Sequence, residues 1–384
     1  MGVRDHNERL VLTLIRQHGT LPKAEIARLS GLSAQTVSVI VRALEIDGLL
    51  LKGEPVRGKV GQPSVPMALD PEGAYFLGLK IGRRSAELVL TNFVGHVRSR
   101  ARLTYQYPNS KEVLGFAADT IARLTNEHGP DKAARIAGLG IAMPFQIWDW
   151  ERVIGASEAA MISWRNTDVK AELEARCSYP VYLQNDASAA CGAELVFGSG
   201  PRPSDFLYFY VGYFIGGGIV LRDNLFVGRT GNAAAIGSMP VPTPDGRVVQ
   251  LIEVASLSGL EARMRERGLE SNSLWTSPDH WDVDDDLIAS WIADAARGLA
   301  HAIGAAASVI DFEAALIDGW LPSEIKGRLV EATRTRLLEI NLVGLLPPSV
   351  VEGSVGPDAR ALGAASLPLS ERFLASSVQP TIGM

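Results

Sequence analysis

Apolar residues recur at helical spacing three times within the first fifty positions. Leu10, Val11, Leu14 and Ile15 mark an amphipathic helix from Asn7 to His18, with Gly19 behind it as a helix-ending residue. Ala24, Ile26, Ala27 and Leu29 in KAEIARLS mark a second, shorter one, closed by Gly31-Leu32. Ser33 is then a good N-cap for a third, SAQTVSVIVRALEIDG, whose inward stripe is Val37, Ile40, Val41 and Leu44 and whose end is Gly48. Beyond it the period changes. The run LLL, the basic glycine-rich KGEPVRGKVGQP and then SVPMAL predict strand, hairpin loop and strand. After Asp70-Pro71, AYFLGLKIG, SAELVLTNFVG and HVRSRARLTY predict a three-stranded meander, followed by a helix from about Lys111 to Glu127. ARIAGLGIAMP reads as a buried strand, PVYLQNDASAACGAELVFG as a strand running into a helix, and DFLYFYVGYFIGGGIVLRDNLFVG as two strands about a glycine turn. Strands alternating with helices, with two such sheet beginnings, predict an α/β body in two lobes.

Two helices joined by a short glycine-containing turn, the second opening on small polar residues, form the helix-turn-helix arrangement. Its outward face is Ser33, Ala34, Gln35, Thr36, Ser38 and Arg42. Gln, Ser and Thr hydrogen-bond base edges in the major groove, while Arg42 and Lys23 suit phosphates. In the wing, Arg57, Lys59 and Gln62 are placed to reach the backbone or the minor groove. Three helices and a hairpin equally describe a small domain for protein contacts, so the pattern alone leaves both readings open.

Composition narrows the field. A chain of 384 residues exceeds what one hydrophobic core organises, so two or three domains are expected. Residues 1–65 hold nine Lys/Arg against six Asp/Glu, a surplus of +3; the chain total is −6, so the remainder carries −9. A basic head on an acidic body suits a protein whose first domain alone touches an anionic polymer. Neither an export signal nor an uncharged stretch of roughly 18 apolar residues is present, so a cytoplasmic protein with no membrane partner is expected. Cys177 and Cys191 form no metal-ligand pattern with the six histidines and read as inert thiols.

The segment LPKAEIARLSGLSAQTVSVIVRALEIDGLL closely resembles the winged-helix head of the ROK family (repressors, open reading frames and kinases), in whose regulators it precedes a Gly-Arg-Pro-like element, here Gly61-Gln62-Pro63. GLGIAMP, the Trp164 region, PVYLQNDASAA, IGGGIVLRDNLFVG, AAAIG, VIDFEAALIDG and GPDARALGAASLPL resemble the ROK domain in order and spacing. The resemblance implies a winged helix-turn-helix over residues 1–70 and, over 71–384, an actin-like, ribonuclease H-like domain of two lobes. Lobe 1 is expected over about 71–186 with the C-terminal segment from about 355, and lobe 2 over about 187–354.

Family kinases carry a first phosphate loop shaped like Asp-x-Gly-Gly-Thr, where this chain has Lys80-Ile81-Gly82-Arg83-Arg84-Ser85. Their second, Gly-Thr-Gly, reads Gly212-Tyr213-Phe214 here. A cation replaces the metal-holding carboxylate, and two aromatics replace the bare backbone that a phosphate approaches. No phosphoryl transfer and no cofactor are therefore expected. The family's zinc loop has no counterpart: Ala234-Ala235-Ile236-Gly237-Ser238 and the following VPTPDGRVVQLIEVAS hold neither cysteine nor histidine, so no metal is expected there.

The resemblance also places Asn185-Asp186 where the family binds sugar hydroxyls and where its kinases keep their catalytic base. A carboxylate beside an amide suits vicinal hydroxyls, although the same pair also caps a helix. Trp164 and Glu253 are further ligand candidates, with Trp148 and Trp150 as other flat surfaces. The expectation is a sensor of a sugar or similar metabolite that binds a near-palindromic double-stranded operator as a homodimer or homotetramer. The alternatives are an ATP-dependent sugar kinase with a DNA-binding head, Asp186 acting as base, and a repressor blind to any ligand.

Overall fold

The computed structural model describes residues 5–55, 65–145, 147, 158–200 and 203–375. The chain divides into two compact units, residues 1–184 with 364–384, and residues 185–363.

The first unit opens with α1 (His6–His18), β1 (Thr20–Pro22), α2 (Lys23–Ser30), α3 (Ala34–Ile46), β2 (Leu50–Lys52) and β3 (Pro66–Leu69). The predicted punctuation holds. Asp5 caps α1 by accepting from the Glu8 amide, and Gly19, Gly31 and Gly48 sit at positive φ behind the three helices. Val11, Leu12, Ile15, Ile26, Val37, Ile40, Val41 and Leu44 are buried. The three strands pair in the order β1-β3-β2. Strand β1 was not apparent in the sequence: three residues carry no period, and Thr20–Pro22 become a strand only because β3 offers its edge.

The rest of this unit is a sheet in the order β6-β5-β4-β7-β8, made by β4 (Tyr75–Ile81), β5 (Ser85–Asn92), β6 (Val97–Thr104), β7 (Ile136–Ala142) and β8 (Val181–Gln184). The first three form the antiparallel meander, while β7 and β8 run parallel to β4. Helix α4 (Ser110–Ala133) runs longer than the apolar pattern, but Gly129 at φ 76° and Pro130 break it near the predicted end. Helices α5 (Glu158–Arg165) and α6 (Val169–Glu174) complete the unit.

Residues 1–70, expected as a domain of their own, share this unit with the sheet. Arg16 of α1 lays its guanidinium 5.3 Å from the ring centre of Phe93 and donates to the Phe93 carbonyl. Phe93 in turn packs on Phe76 and Phe373, at 6.2 and 5.2 Å. At the covalent joint, Glu72 accepts from the Tyr75 hydroxyl, from Arg98 at 2.8 Å and from Lys132 at 3.3 Å.

The second unit repeats the plan. Its sheet runs β11-β10-β9-β14-β15, from β9 (Phe206–Val211), β10 (Gly216–Leu221), β11 (Asn224–Phe226), β14 (Ala314–Gly319) and β15 (Ser349–Glu352), again an antiparallel meander followed by two parallel strands. The small pair β12 (Pro240–Pro242) and β13 (Val248–Gln250) lies outside that sheet. Around these lie α7 (Asp186–Phe197), α8 (Leu251–Ala255), α9 (Leu257–Glu266), α10 (Ser273–Thr276), α11 (Asp285–Ala307) and α12 (Ser323–Leu338); α13 (Ala359–Phe373) contains the division between the units. Two sheets of the same order within one chain bear out the actin-like duplication behind a winged helix-turn-helix.

Glycines set how closely helices lie on these sheets. A Cβ on Gly140 would stand 1.8 Å from the Ala364 carbonyl oxygen, and one on Gly218 2.3 Å from Cys191 Cβ. Gly140→Ala is expected to lower stability by about 3 kcal/mol or more in denaturant unfolding, whereas Gly115→Ala, in open space on α4, raises it by about 0.5–1 kcal/mol. The partners of Glu72, the Tyr75 hydroxyl first, hold its carboxyl at about 2, below the ordinary 4.5. A depressed carboxylate stabilises fully above its unfolded value and loses that contribution as pH falls through the folded one. Glu72→Gln should therefore flatten the decline in Tm on acidification from pH 4.5 towards 2.

Candidate nucleic-acid interface and ligand site

Helices α2 and α3 meet at 117° across the turn Gly31-Leu32-Ser33, within the range of a helix-turn-helix. Ser33 caps α3 by accepting from the Thr36 amide at 3.1 Å, and the two hydroxyls bond each other at 2.8 Å. The Ser38 hydroxyl donates to the Ala34 carbonyl at 2.9 Å. With the apolar stripe buried, Gln35, Ser38, Val39 and Arg42 share the opposite face at spacings of three and four residues, all exposed. Ala34 is exposed beside them, while Thr36 and Lys23 are half-buried. Arg57, Lys59 and Gln62 lie outside the described residues, as do Trp148 and Trp150.

In the second unit, Asn185 caps α7, its side-chain oxygen accepting from the Ala187 and Ser188 amides at 3.0 and 3.4 Å. Asp186 is held by a residue that sequence reading missed: Arg360 Nη1 donates to Asp186 Oδ2 at 3.2 Å. The Arg360 guanidinium carbon lies 4.8 Å from the ring centre of Tyr210, and burial pushes the Tyr210 hydroxyl up to about 12. Arg360 Nε is buried with no acceptor among the described residues. No local signal pairs residues 186 and 360; two buried carboxylates bring them together. Asp318 accepts from Lys326, from the Tyr208 hydroxyl and from the Gly356 amide, at 3.2, 3.2 and 2.7 Å. Glu194 accepts from the Ser354 amide and hydroxyl and from the Val355 amide; burial pushes its carboxyl up, and these donors oppose the shift.

Two ligand candidates take other roles. Trp164 is 2% exposed, packed in the core of the first unit with its indole N–H on the Pro108 carbonyl at 3.0 Å, so it has no open face for a ring. Glu253 is exposed and accepts from the Gln250 amide at 2.8 Å, as the third residue of α8 reaching back to the helix start.

Both segments expected to stand in place of phosphate loops are filled. Lys80 reaches across the β4–β5 turn to Ser85 Oγ at 3.2 Å, its Cε 3.1 Å from where a Cβ on Gly82 would stand. Arg84 is exposed in that turn. Tyr213 packs on Phe214 and Trp275, at 4.7 and 5.4 Å between ring centres. The carbonyls of Gly212 and Tyr213 accept from the first amides of α9, Leu257 and Ser258, at 3.0 and 3.1 Å. Gly216, Gly217 and Gly218 admit Ala187, Ile236 and Cys191 rather than a phosphate.

The ROK family profile matches residues 76–371, and a winged helix-turn-helix DNA-binding profile matches residues 4–50. The chain belongs to the ROK family. Among ROK relatives, the xylose repressor of Caldicellulosiruptor bescii is 25% identical over 300 residues, 76% of this chain and 73% of that protein. A relative from Caldicellulosiruptor sp. (strain Rt8B.4) is 28% identical over 244 residues, 63% of this chain and 60% of the relative's length. The crystal structure of a ROK family transcriptional regulator, a homologue of the E. coli Mlc protein, covers 96% of this chain and 97% of its own, with a TM-score of 0.67 at 20% identity.

Asp318 is fully buried and Lys326 is its cation. Removing one partner of such a pair leaves an uncompensated charge, so Lys326→Met is expected to cost about 3–5 kcal/mol in denaturant unfolding.

Proposed function

We propose that this ROK protein is a cytoplasmic, sequence-specific transcriptional regulator, a repressor of genes for a sugar or a related metabolite. The observation that carries the reading is the α2–α3 helix-turn-helix, whose outward stripe includes Gln35, Ser38 and Arg42, all exposed, while Val37, Ile40, Val41 and Leu44 of α3 are buried in the core. Gln35 suits an adenine edge and Arg42 a phosphate. With one recognition helix per chain, two copies on a near-palindromic operator match the usual half-site geometry.

The effector sits at the Asp186–Arg360 pair. A buried N–H without an acceptor is uncommon, and a ligand hydroxyl beside Asp186 gives Arg360 Nε the partner it lacks. The names of the relatives put xylose first among the sugars to try. Phosphoryl transfer is not part of this function: Lys80 spans the first turn, and the leading amides of α9 already serve the Gly212 and Tyr213 carbonyls.

A thermal-shift screen of the full chain against xylose, other sugars, sugar phosphates, sugar acids and polyols, with and without ATP and magnesium, tests the effector. One sugar class should stabilise the protein, by about 2.7 kcal/mol at a hundredfold excess over Kd, with no effect of ATP and none of the sugar on Asp186→Ala. Sugar-dependent ATP turnover lost in Asp186→Asn would make the protein a kinase; no shift with any metabolite would make it a repressor without a ligand. On DNA, Arg42→Ala should weaken binding similarly across sequences and reduce the salt slope by about one.

A further inference from the structure

One exposed residue of α3 has no role in the polar reading of that face. Val39 is 65% exposed, between Ser38 and Arg42. It contributes nothing to the core, which takes Val37, Ile40, Val41 and Leu44 from the same helix. Its neighbours are less available for hydrogen-bonding than their side chains suggest. The Ser38 proton is committed to the Ala34 carbonyl, and one of the Ser33 and Thr36 hydroxyl protons is committed to the bond between them. Among the described residues that leaves Gln35 and Arg42 as uncommitted donors on the stripe, with a branched apolar side chain between them.

In the major groove of B-DNA the apolar group on the base edges is the 5-methyl of thymine. Val39 lies in the second turn of α3, in the N-terminal half from which recognition helices touch bases. Ile46, 76% exposed, is seven residues on, about 10 Å further along the axis and beyond that half.

We infer that Val39 is a specificity-determining residue that reads a thymine methyl group, so that each half-site carries an A·T pair facing the second turn of α3. This inference rests on the DNA-binding reading above. Removing one buried methyl contact changes an affinity by about three- to tenfold, which ordinary titrations resolve.

The experiment selects duplexes from a random pool with the full-length protein, then replaces each thymine of the enriched site singly with deoxyuridine, which lacks only the methyl. Affinities are read by fluorescence anisotropy at fixed salt for the wild type, Val39→Ala and Ile46→Ala. One thymine per half-site should be found whose replacement weakens the wild type and Ile46→Ala three- to tenfold. Val39→Ala should bind the unmodified duplex more weakly by a similar factor and be indifferent to that replacement. Since Val39 is outside the core, the unfolding midpoint of Val39→Ala should match the wild type, which separates lost recognition from lost folding. A wild type that selects a sequence yet tolerates every replacement overturns the role of Val39 and leaves DNA binding standing, as does a Val39→Ala protein that keeps its methyl sensitivity. A pool with no enriched sequence sinks the DNA-binding reading itself, and this inference with it.

Discussion

A carboxylate with no exposure to water must find its partners inside the protein, and Asp318 imposes that demand on the second unit. It is met by an ammonium, a phenol and a backbone amide from three different stretches of chain. Glu194 draws on the same turn from another side, through Ser354 and Val355. Residues 353–356 are thereby fixed, and the fit is close enough that a Cβ on Gly353 would stand 2.5 Å from that of Asp318. Pro357 then accepts from the Tyr210 hydroxyl, and one helical turn on, Arg360 meets Asp186. The geometry around Asp186 thus depends on carboxylates buried elsewhere in the unit.

The two segments expected to stand in place of phosphate loops serve the packing of their own units. The β4–β5 turn holds Lys80 across it, on Ser85. The start of α9 is capped by carbonyls of its own unit, those of Gly212 and Tyr213. The glycine run of β10 seats a helix closely on the sheet.

In the first unit the helix-turn-helix is fastened to the sheet by the Arg16–Phe93–Phe373 contacts and by the ion pairs of Glu72. A ligand changes DNA binding only through different affinities for DNA-competent and incompetent states. In the proposed regulator, a head packed into the first unit moves with it, so a rearrangement of that unit is carried to α3.

Local chemistry determined what the sequence made legible. The helices of the head, their Ser33 and glycine boundaries, the meander and the two-lobed α/β class follow from periodicity and caps, which act within a few residues. The ROK resemblance lay in segments whose order survived even where their residues changed. What only the tertiary structure decided depends on distance in space. Strand β1 needed the edge of β3, and Trp164, on α5, turned from a ligand surface into part of the core it shares with α4 and the sheet. Glu253 became a cap. The partner of Asp186 lies 174 residues along the chain, and no pattern of neighbours encodes a pair whose placement follows from hydrogen-bonding Asp318 and Glu194 out of water.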